Sequence, residues 1–488
     1  MGRIFDKKYL FLFSIIILLF SLVFLGWKTI SNFKNDNDSI RTQISLLVPN
    51  NFKLFLKESL FIIPKVKRDI NQTNHYLDEI LSEVRTFNKR VFTAESNSLE
   101  LNLNSSDYVF KKFNTELLFK SLSLPSGISS SQPIRASAYI EEFLNKVILV
   151  SADGIFIFFD SNELQGKELN AFLINSNIED LIKNEKFYRN SKYGIRDVLI
   201  VDNKIFVSYT NLVSDNCVNT SLLVAPMNLE YLNFNHLFLP KDCVEVRNSY
   251  GEFELHQSGG RISQFKDGKL LFSSGEFKYR DHAQDPENIF GKILSIDILT
   301  KNWELLSLGH RNVDGLAYDL DKEVIVSTEH GPMGGDEINI NKEPSPIQIE
   351  NFGWPVSSYG EHYHGKIFGN YFRYRKAPFK KSHTDFGFIE PVKFFVPSIG
   401  ISQLIKLPKT FNKDSKNDFL VASLGNETNE GDMSVYHISF NDDYSEIDNL
   451  KRIVVGERIR DLKYIKGVNK VLFFLENSAS IGVLSPSG

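Results

Sequence analysis

From about Ser96 to the C-terminus, this chain repeats one kind of segment: a run of β-branched and aromatic residues about one strand long, closed by Asn, Asp, Gly or Ser. "KVILVSADGIFIFFD", "VLIVDNKIFVSYT", "GRISQFKDGKLLFSSG", "KILSIDI", "LAYDLDKEVIVSTE", "FLVASL", "VYHISF" and "LKYIKGVNKVLFFLE" are the clearest. Turn pairs such as Asp202-Asn203 and Asp267-Gly268 sit between runs and read as hairpins. No long helical period interrupts them. Strands at this spacing over roughly 350 residues predict an all-β repeat fold, and a β-propeller closes such a series without leaving long exposed edges. A pair of β-sandwiches is the alternative.

Residues 1–95 obey different rules. Arg3, Lys7 and Lys8 precede an apolar run from Tyr9 to Trp27, long enough to cross a hydrocarbon core of about 30 Å as a helix. The expected organisation is a basic cytoplasmic tail over 1–8, a retained transmembrane anchor over 9–27, a helical stalk or linker over 28–95 and the propeller over 96–488. The basic flank stays inside, which places the N-terminus in the cytoplasm and the propeller in the periplasm of a bacterial inner membrane. A cleaved signal peptide is the other reading, but the run exceeds a usual signal core and no small-x-small site follows Gly26. Lys65 to Val91 contains no glycine and carries apolar residues at helical spacing.

The only cysteines are Cys217 and Cys243. In an exported compartment they are expected to bridge, with two buried thiols as the alternative. Lysine and arginine total 56 against 60 acids, a net charge of −4, so nothing global favours a nucleic acid or an acidic polymer as partner. Small neutral substrates suit this balance better.

Three clusters place ionisable groups at strand ends. "HQSGGRISQF" has His256 ahead of a glycine pair and Arg261; "GHRNVDGLAYD" puts His310, Arg311 and Asn312 before a strand; "STEHGPMGGDEINI" crowds a Gly-Pro step, two more glycines and Asp336-Glu337 into one turn. Each alone could be structural, since a lone histidine is more often packed or hydrogen-bonded than catalytic; His282, His362 and His364 keep that assignment.

Taken in order, "HQSGGR", "GHRNVDGL", "EHGPMGGDEIN", "NFGWP" and "GERIRDLKY" resemble the glucose/sorbosone dehydrogenase family over roughly residues 130 to 485. The resemblance implies a six-bladed β-propeller that oxidises the C1 hydroxyl of aldose sugars to lactones with pyrroloquinoline quinone (PQQ). His256 then matches the general base, and Arg311 and Asn312 the groups at the reactive end of the cofactor. Arg458 and Arg460 match the pair gripping its carboxylates, and Gly331 and Pro332 the carbonyls binding Ca2+. A sugar substrate and a respiratory electron acceptor follow as partners.

The chain also departs from the pattern. Where a cofactor-contacting lysine follows a strand like "FLVASL", Leu424 is followed by Gly425-Asn426 and the acidic loop "ETNEGD". "HQSGGR" has one glycine more than the closest pattern, and "FFVPSIGIS" has Phe395 and Ile401 where tryptophan and proline are usual. These departures support a second function, a non-catalytic propeller binding carbohydrate or protein; a lactonase would need a convergent acidic metal site that the sequence does not show. If Glu427 to Asp432 filled the pocket, an anionic quinone would be repelled.

Overall fold

A computed structural model describes residues 92–95, 108–115, 137–184, 187, 192–248, 252–363, 377–411 and 417–486. The chain divides into two compact units, 1–85 and 86–488. The expected anchor and the helix expected from Lys65 to Val91 lie outside the described residues, among which no helix is long and apolar enough to cross a membrane.

The second unit is a six-bladed β-propeller: six mainly antiparallel sheets, each built mainly from consecutive strands. The innermost strands are Ala138–Phe143, Ile195–Val201, Gly259–Gln264, Val313–Asp319, Ile401–Lys406 and Ile459–Ile465, for blades 1 to 6 in order. Each packs against the next, and the sixth against the first. The pair-of-sandwiches alternative is thereby excluded. Phe92–Glu95, at the foot of the expected stalk, pairs antiparallel with Glu168–Ser176 of blade 1. Blade 6 takes its outermost strand from the other end of the chain, with Tyr108–Asn114 running antiparallel to Ser480–Pro486.

The second strand of each blade is apolar along most of its length because both of its faces are covered by neighbouring blades. Ile148, Phe206, Leu271, Ile325, Leu420 and Phe473 are fully buried there. Five of the six innermost strands carry a register shift near their first residues: Ile195/Asp197, Gly259/Ile262, Val313/Gly315, Ile401/Leu404 and Ile459/Asp461. A bulge at that point turns the strand start out of the ladder and re-aims its side chains.

Hydroxyls from one blade hold the bulged carbonyls of the next. Ser208 Oγ donates to Gly260, Ser273 Oγ to Val313 at 3.2 Å, Thr328 Oγ1 to Ser402 at 2.5 Å and Ser402 Oγ to Ile459 at 2.7 Å. Cys217 and Cys243 form the expected disulfide in blade 2. It ties Cys217–Pro226 to the segment that returns to pair with it at Val244–Glu245.

Candidate functional site

The additional glycine of "HQSGGR" is absorbed by the bulge of blade 3. Gly259 and Gly260 take φ of +59° and +112°, and a Cβ on Gly260 would strike the Arg196 side chain of blade 2. The backbone thereby folds inward and places Arg261 near the axis, 3 % exposed. Its Nη1 lies 3.0 Å from Asp197 of blade 2 and 2.9 Å from Asp461 of blade 6. Its Nε and Nη2 donate to the carbonyls of Asp314 and Arg460 at 2.6 and 2.9 Å. Asp461 also accepts the Ile140 N–H of blade 1 at 2.7 Å, so one guanidinium and its partners join five blades. Arg261 is a keystone of the ring.

Five of the expected site residues gather at the starts of the inner strands. The turn holding His256 is bonded to the segment after the second strand of blade 3: Phe277 N–H donates to Gln257 and Glu254 N–H to Phe277, both at 2.9 Å. Glu276 N–H donates to the Arg311 carbonyl at 3.1 Å, and Gly259 N–H to Asn312 Oδ1 at 2.9 Å. His256, Glu276, Arg311 and Asn312 are thus stitched by main-chain hydrogen bonds into one patch. The His256 side chain is 57 % exposed, and its Nδ1 sits 3.1 Å from Glu254. That hydrogen bond holds the Glu254 carboxyl down to about 2.

Arg311 is fixed from several sides. Its Nη1 donates to the His330 carbonyl at 2.7 Å, its guanidinium lies 5.5 Å from the Trp354 ring, and its backbone N–H donates to Glu329. Buried Glu329 is completed by His310 Nδ1 at 2.9 Å. Asn312 Nδ2 donates to Asp314 at 3.1 Å.

The crowded turn of blade 4 is organised by Asp336. Oδ1 accepts Gly331 N–H at 2.9 Å, and Oδ2 accepts Ile399 and Ile401 N–H at 3.0 and 2.9 Å. Its carboxylate therefore fixes the loop before its strand and the start of blade 5. His330 lies between Asp314, 3.0 Å away, and Asp336, 3.7 Å away. Burial lowers its pKa, but the hydrogen bonds its ring donates to these two carboxylates, and their charge, outweigh that and raise it to about 9, so it is an imidazolium at neutral pH. The Pro332 carbonyl accepts Ser398 Oγ at 3.2 Å, which leaves it a second lone pair.

Arg458 and Arg460 converge on a residue that the sequence did not bring forward. Glu476 directly follows the second strand of blade 6 and is 4 % exposed. Arg458 Nε and Nη2 lie 3.1 Å from its Oε2, and Arg460 Nε lies 2.6 Å from its Oε1. Arg458 also donates to the Leu424 carbonyl. Burial raises the Glu476 carboxyl, but the two guanidiniums more than reverse that, so it stays ionised. The acid sets the direction of both arginines.

Glu276 was likewise missed. It is fully buried; neither carboxylate oxygen meets a donor at hydrogen-bonding geometry among the described residues, although the Lys278 N–H is near enough to pull its pKa slightly down. Burial pushes the group up to about 8 against the pull of Arg311 and Arg280. Gln257 Oε1 and Trp354 Nε1 are also buried without a hydrogen-bond partner among the described residues. Orphaned polar atoms this close to a buried guanidinium are the pattern of a site built for a polar ligand. Both acids follow a buried strand, Glu276 two residues after Lys269–Ser274 and Glu476 one residue after Lys470–Leu475, a position that in sequence looks like any solvated strand end.

No group of three or more His, Cys, Asp or Glu side chains suited to a metal occurs among the described residues. The acidic loop does not run free: Arg452 Nη2 donates to the Thr428 carbonyl and to that of Asp432, and Tyr436 Oη donates to Gly431 at 2.8 Å.

Comparison with known proteins agrees with this architecture. The aldose sugar dehydrogenase YliI of Escherichia coli strain K12 is 25% identical over 319 residues, covering 60% of this chain and 77% of that protein. The solved apo form of the soluble aldose sugar dehydrogenase of Escherichia coli superposes with a TM-score of 0.54 at 19% identity, over 72% of this chain and 96% of its own. A glucose dehydrogenase structure gives a TM-score of 0.55 at 18% identity, with the same coverage. Residues 168–483 match the family described as Glucose / Sorbosone dehydrogenase. With the five ordered motifs seated on a six-bladed ring and most of the propeller matched, the chain belongs to the glucose/sorbosone dehydrogenase family.

Proposed function

We propose that this protein is a quinoprotein that oxidises aldose sugars at C1, held to a bacterial inner membrane by residues 9–27 with its propeller in the periplasm. The observation carrying the reading is the stitched patch of His256, Glu276, Arg311 and Asn312, in which the buried Glu276 carboxylate oxygens and the nearby Gln257 Oε1 meet no hydrogen-bond partner among the described residues. The donor set suits a tricarboxylate quinone. Arg458 and Arg460, pre-aimed by Glu476, would hold carboxylates, and Arg311 with Asn312 would face the reactive end. The Gly331 and Pro332 carbonyls would hold Ca2+. When bound, pyrroloquinoline quinone supplies a two-electron acceptor; the electrons then leave for a respiratory carrier.

The chain's own groups handle proton and substrate. His256 is exposed and its Nδ1 is turned to the Glu254 carboxylate, so Nε2 is the nitrogen free to take the proton of the sugar's C1 hydroxyl. Glu254, 3.1 Å from Nδ1, holds the ring in this orientation. The disulfide agrees with an oxidising compartment.

Titration of the purified protein with pyrroloquinoline quinone and calcium, followed by dye reduction on a panel of aldoses, tests this. Saturable binding and sugar-dependent reduction are expected, with His256→Ala retaining binding and losing turnover by a factor on the order of a hundred or more. Absence of binding at high micromolar quinone would favour the second reading, a non-catalytic propeller, for which Gly425 in place of a lysine speaks.

A further inference from the structure

The corner of blade 5 next to the arginine pair is built differently from the pattern that the sequence otherwise follows. Gly425 stands where a lysine is expected, and a Cβ added to it would fall on the carboxylate of Asp432. Asp432 is 5 % exposed. Its Oδ2 accepts the Glu427 N–H at 2.7 Å, while Oδ1 is buried with no hydrogen-bond partner among the described residues. Its main chain is held as well, since Ser434 Oγ donates to the Asp432 carbonyl at 2.8 Å and Arg452 Nη2 does so at 3.3 Å. The carboxylate is thus seated by design of the loop. One residue before Gly425, the Leu424 carbonyl is taken by Arg458, and Gly425 N–H donates to Ile399, whose own N–H is bound to Asp336. Asp432 therefore adjoins both the arginine grip and the blade 4 turn.

We propose that Asp432 is an affinity-setting residue: it fills the place of a cation with an anion, opposes the carboxylates of the quinone, and leaves their capture to Arg458 and Arg460. This rests on the quinoprotein assignment above. The charge in this corner is inverted. A like charge buried beside an anionic ligand weakens its binding, and screening by salt is incomplete there. The second acid near this corner, Asp336, is saturated by its N–H donors and His330, and Glu476 by its arginines, whereas Asp432 Oδ1 meets no hydrogen-bond donor among the described residues.

The test is equilibrium binding of pyrroloquinoline quinone, read by quenching of intrinsic fluorescence, to the wild type, Asp432→Asn, Glu430→Gln and Arg460→Ala. Asp432→Asn keeps an oxygen for the Glu427 N–H and should lower Kd by about five- to tenfold. Glu430→Gln, on the same loop, should leave Kd within about twofold, and Arg460→Ala should raise it by tenfold or more. Wild-type binding that is unchanged or weakened by Asp432→Asn overturns the inference and leaves the quinoprotein assignment standing. No binding by any variant overturns both. Should Asp432→Asn fold poorly by circular dichroism, Asp432→Ser, whose hydroxyl can still accept the Glu427 N–H, carries the same expectation and the same refuting result.

Discussion

Replacing Arg261 by methionine should unsettle the whole ring. The substitution removes the cation shared by Asp197 at 3.0 Å and Asp461 at 2.9 Å, together with the donors serving the Asp314 and Arg460 carbonyls. Breaking one buried pair costs roughly 3–5 kcal/mol. With two carboxylates and two carbonyls abandoned, the expected loss is about 5 kcal/mol, a large share of the ~5–15 kcal/mol by which a fold is typically stable. The loss should depend on pH. Burial pushes both carboxyls up and Arg261 draws both back down, so without the arginine their folded-state pKa values rise further. A carboxyl raised in the folded state contributes stability below its unfolded pKa and loses it as pH rises through the folded value; the cost of Arg261→Met is therefore smaller at about pH 5 than at about pH 8. Guanidinium unfolding at both values measures it. Adding Asp197→Asn and Asp461→Asn to Arg261→Met should recover most of the loss at the higher pH. A cost under about 1 kcal/mol at pH 8, or one that does not change with pH, would refute the keystone role.

Three further outcomes are expected. Glu276, raised to about 8 by burial, should make the wild type less stable as pH climbs from the ordinary carboxylate range through 8; Glu276→Gln should flatten that slope, by at most about 4–5 kcal/mol across the window, in unfolding titrations at stepped pH. Reducing or replacing the Cys217–Cys243 bridge, which spans 26 positions, should cost about 3 kcal/mol in urea unfolding, with sugar turnover below the transition unchanged. Lys292 donates to the carbonyls of His282, Ala283 and Phe290 at 2.7, 3.2 and 2.5 Å, so Lys292→Met should loosen that loop and speed hydrogen exchange at residues 280–290.

Much of this was legible in the sequence, for a physical reason. Strands buried on both faces must be continuous apolar runs, and hairpin turns demand Asn, Asp or Gly, so the all-β repeat announces itself. Blade number did not. The early bulge is common to five of the six inner strands, and the hydroxyls that rivet neighbouring blades, Ser208, Ser273, Thr328 and Ser402, are single common residues. His256, Arg311 and Asn312 stood out because their order and spacing are tied to backbone that the site needs. Arg261 drew notice only as the residue behind a glycine pair; the bulge uses the additional glycine to seat it. Glu276 and Glu476 were invisible because a lone acid behind a strand looks like any solvated strand end until the ring closes over it. Asp432 was read as part of an acidic loop, whereas the fold turns this one carboxylate inward and straps the loop to Arg452.

The pairing of Tyr108–Asn114 with Ser480–Pro486 makes the molecule a late finisher. A nascent chain that has not yet reached Ser480 already carries Tyr108–Asn114, an apolar-faced strand whose ladder groups have no partner. During synthesis that edge is open to pairing with another chain, and it stays open through most of the chain's emergence. Any truncation before Ser480 should make this permanent. Such fragments would then accumulate as aggregates or proteolytic debris, and a nonsense change in the last blade would remove the protein as surely as one in the first.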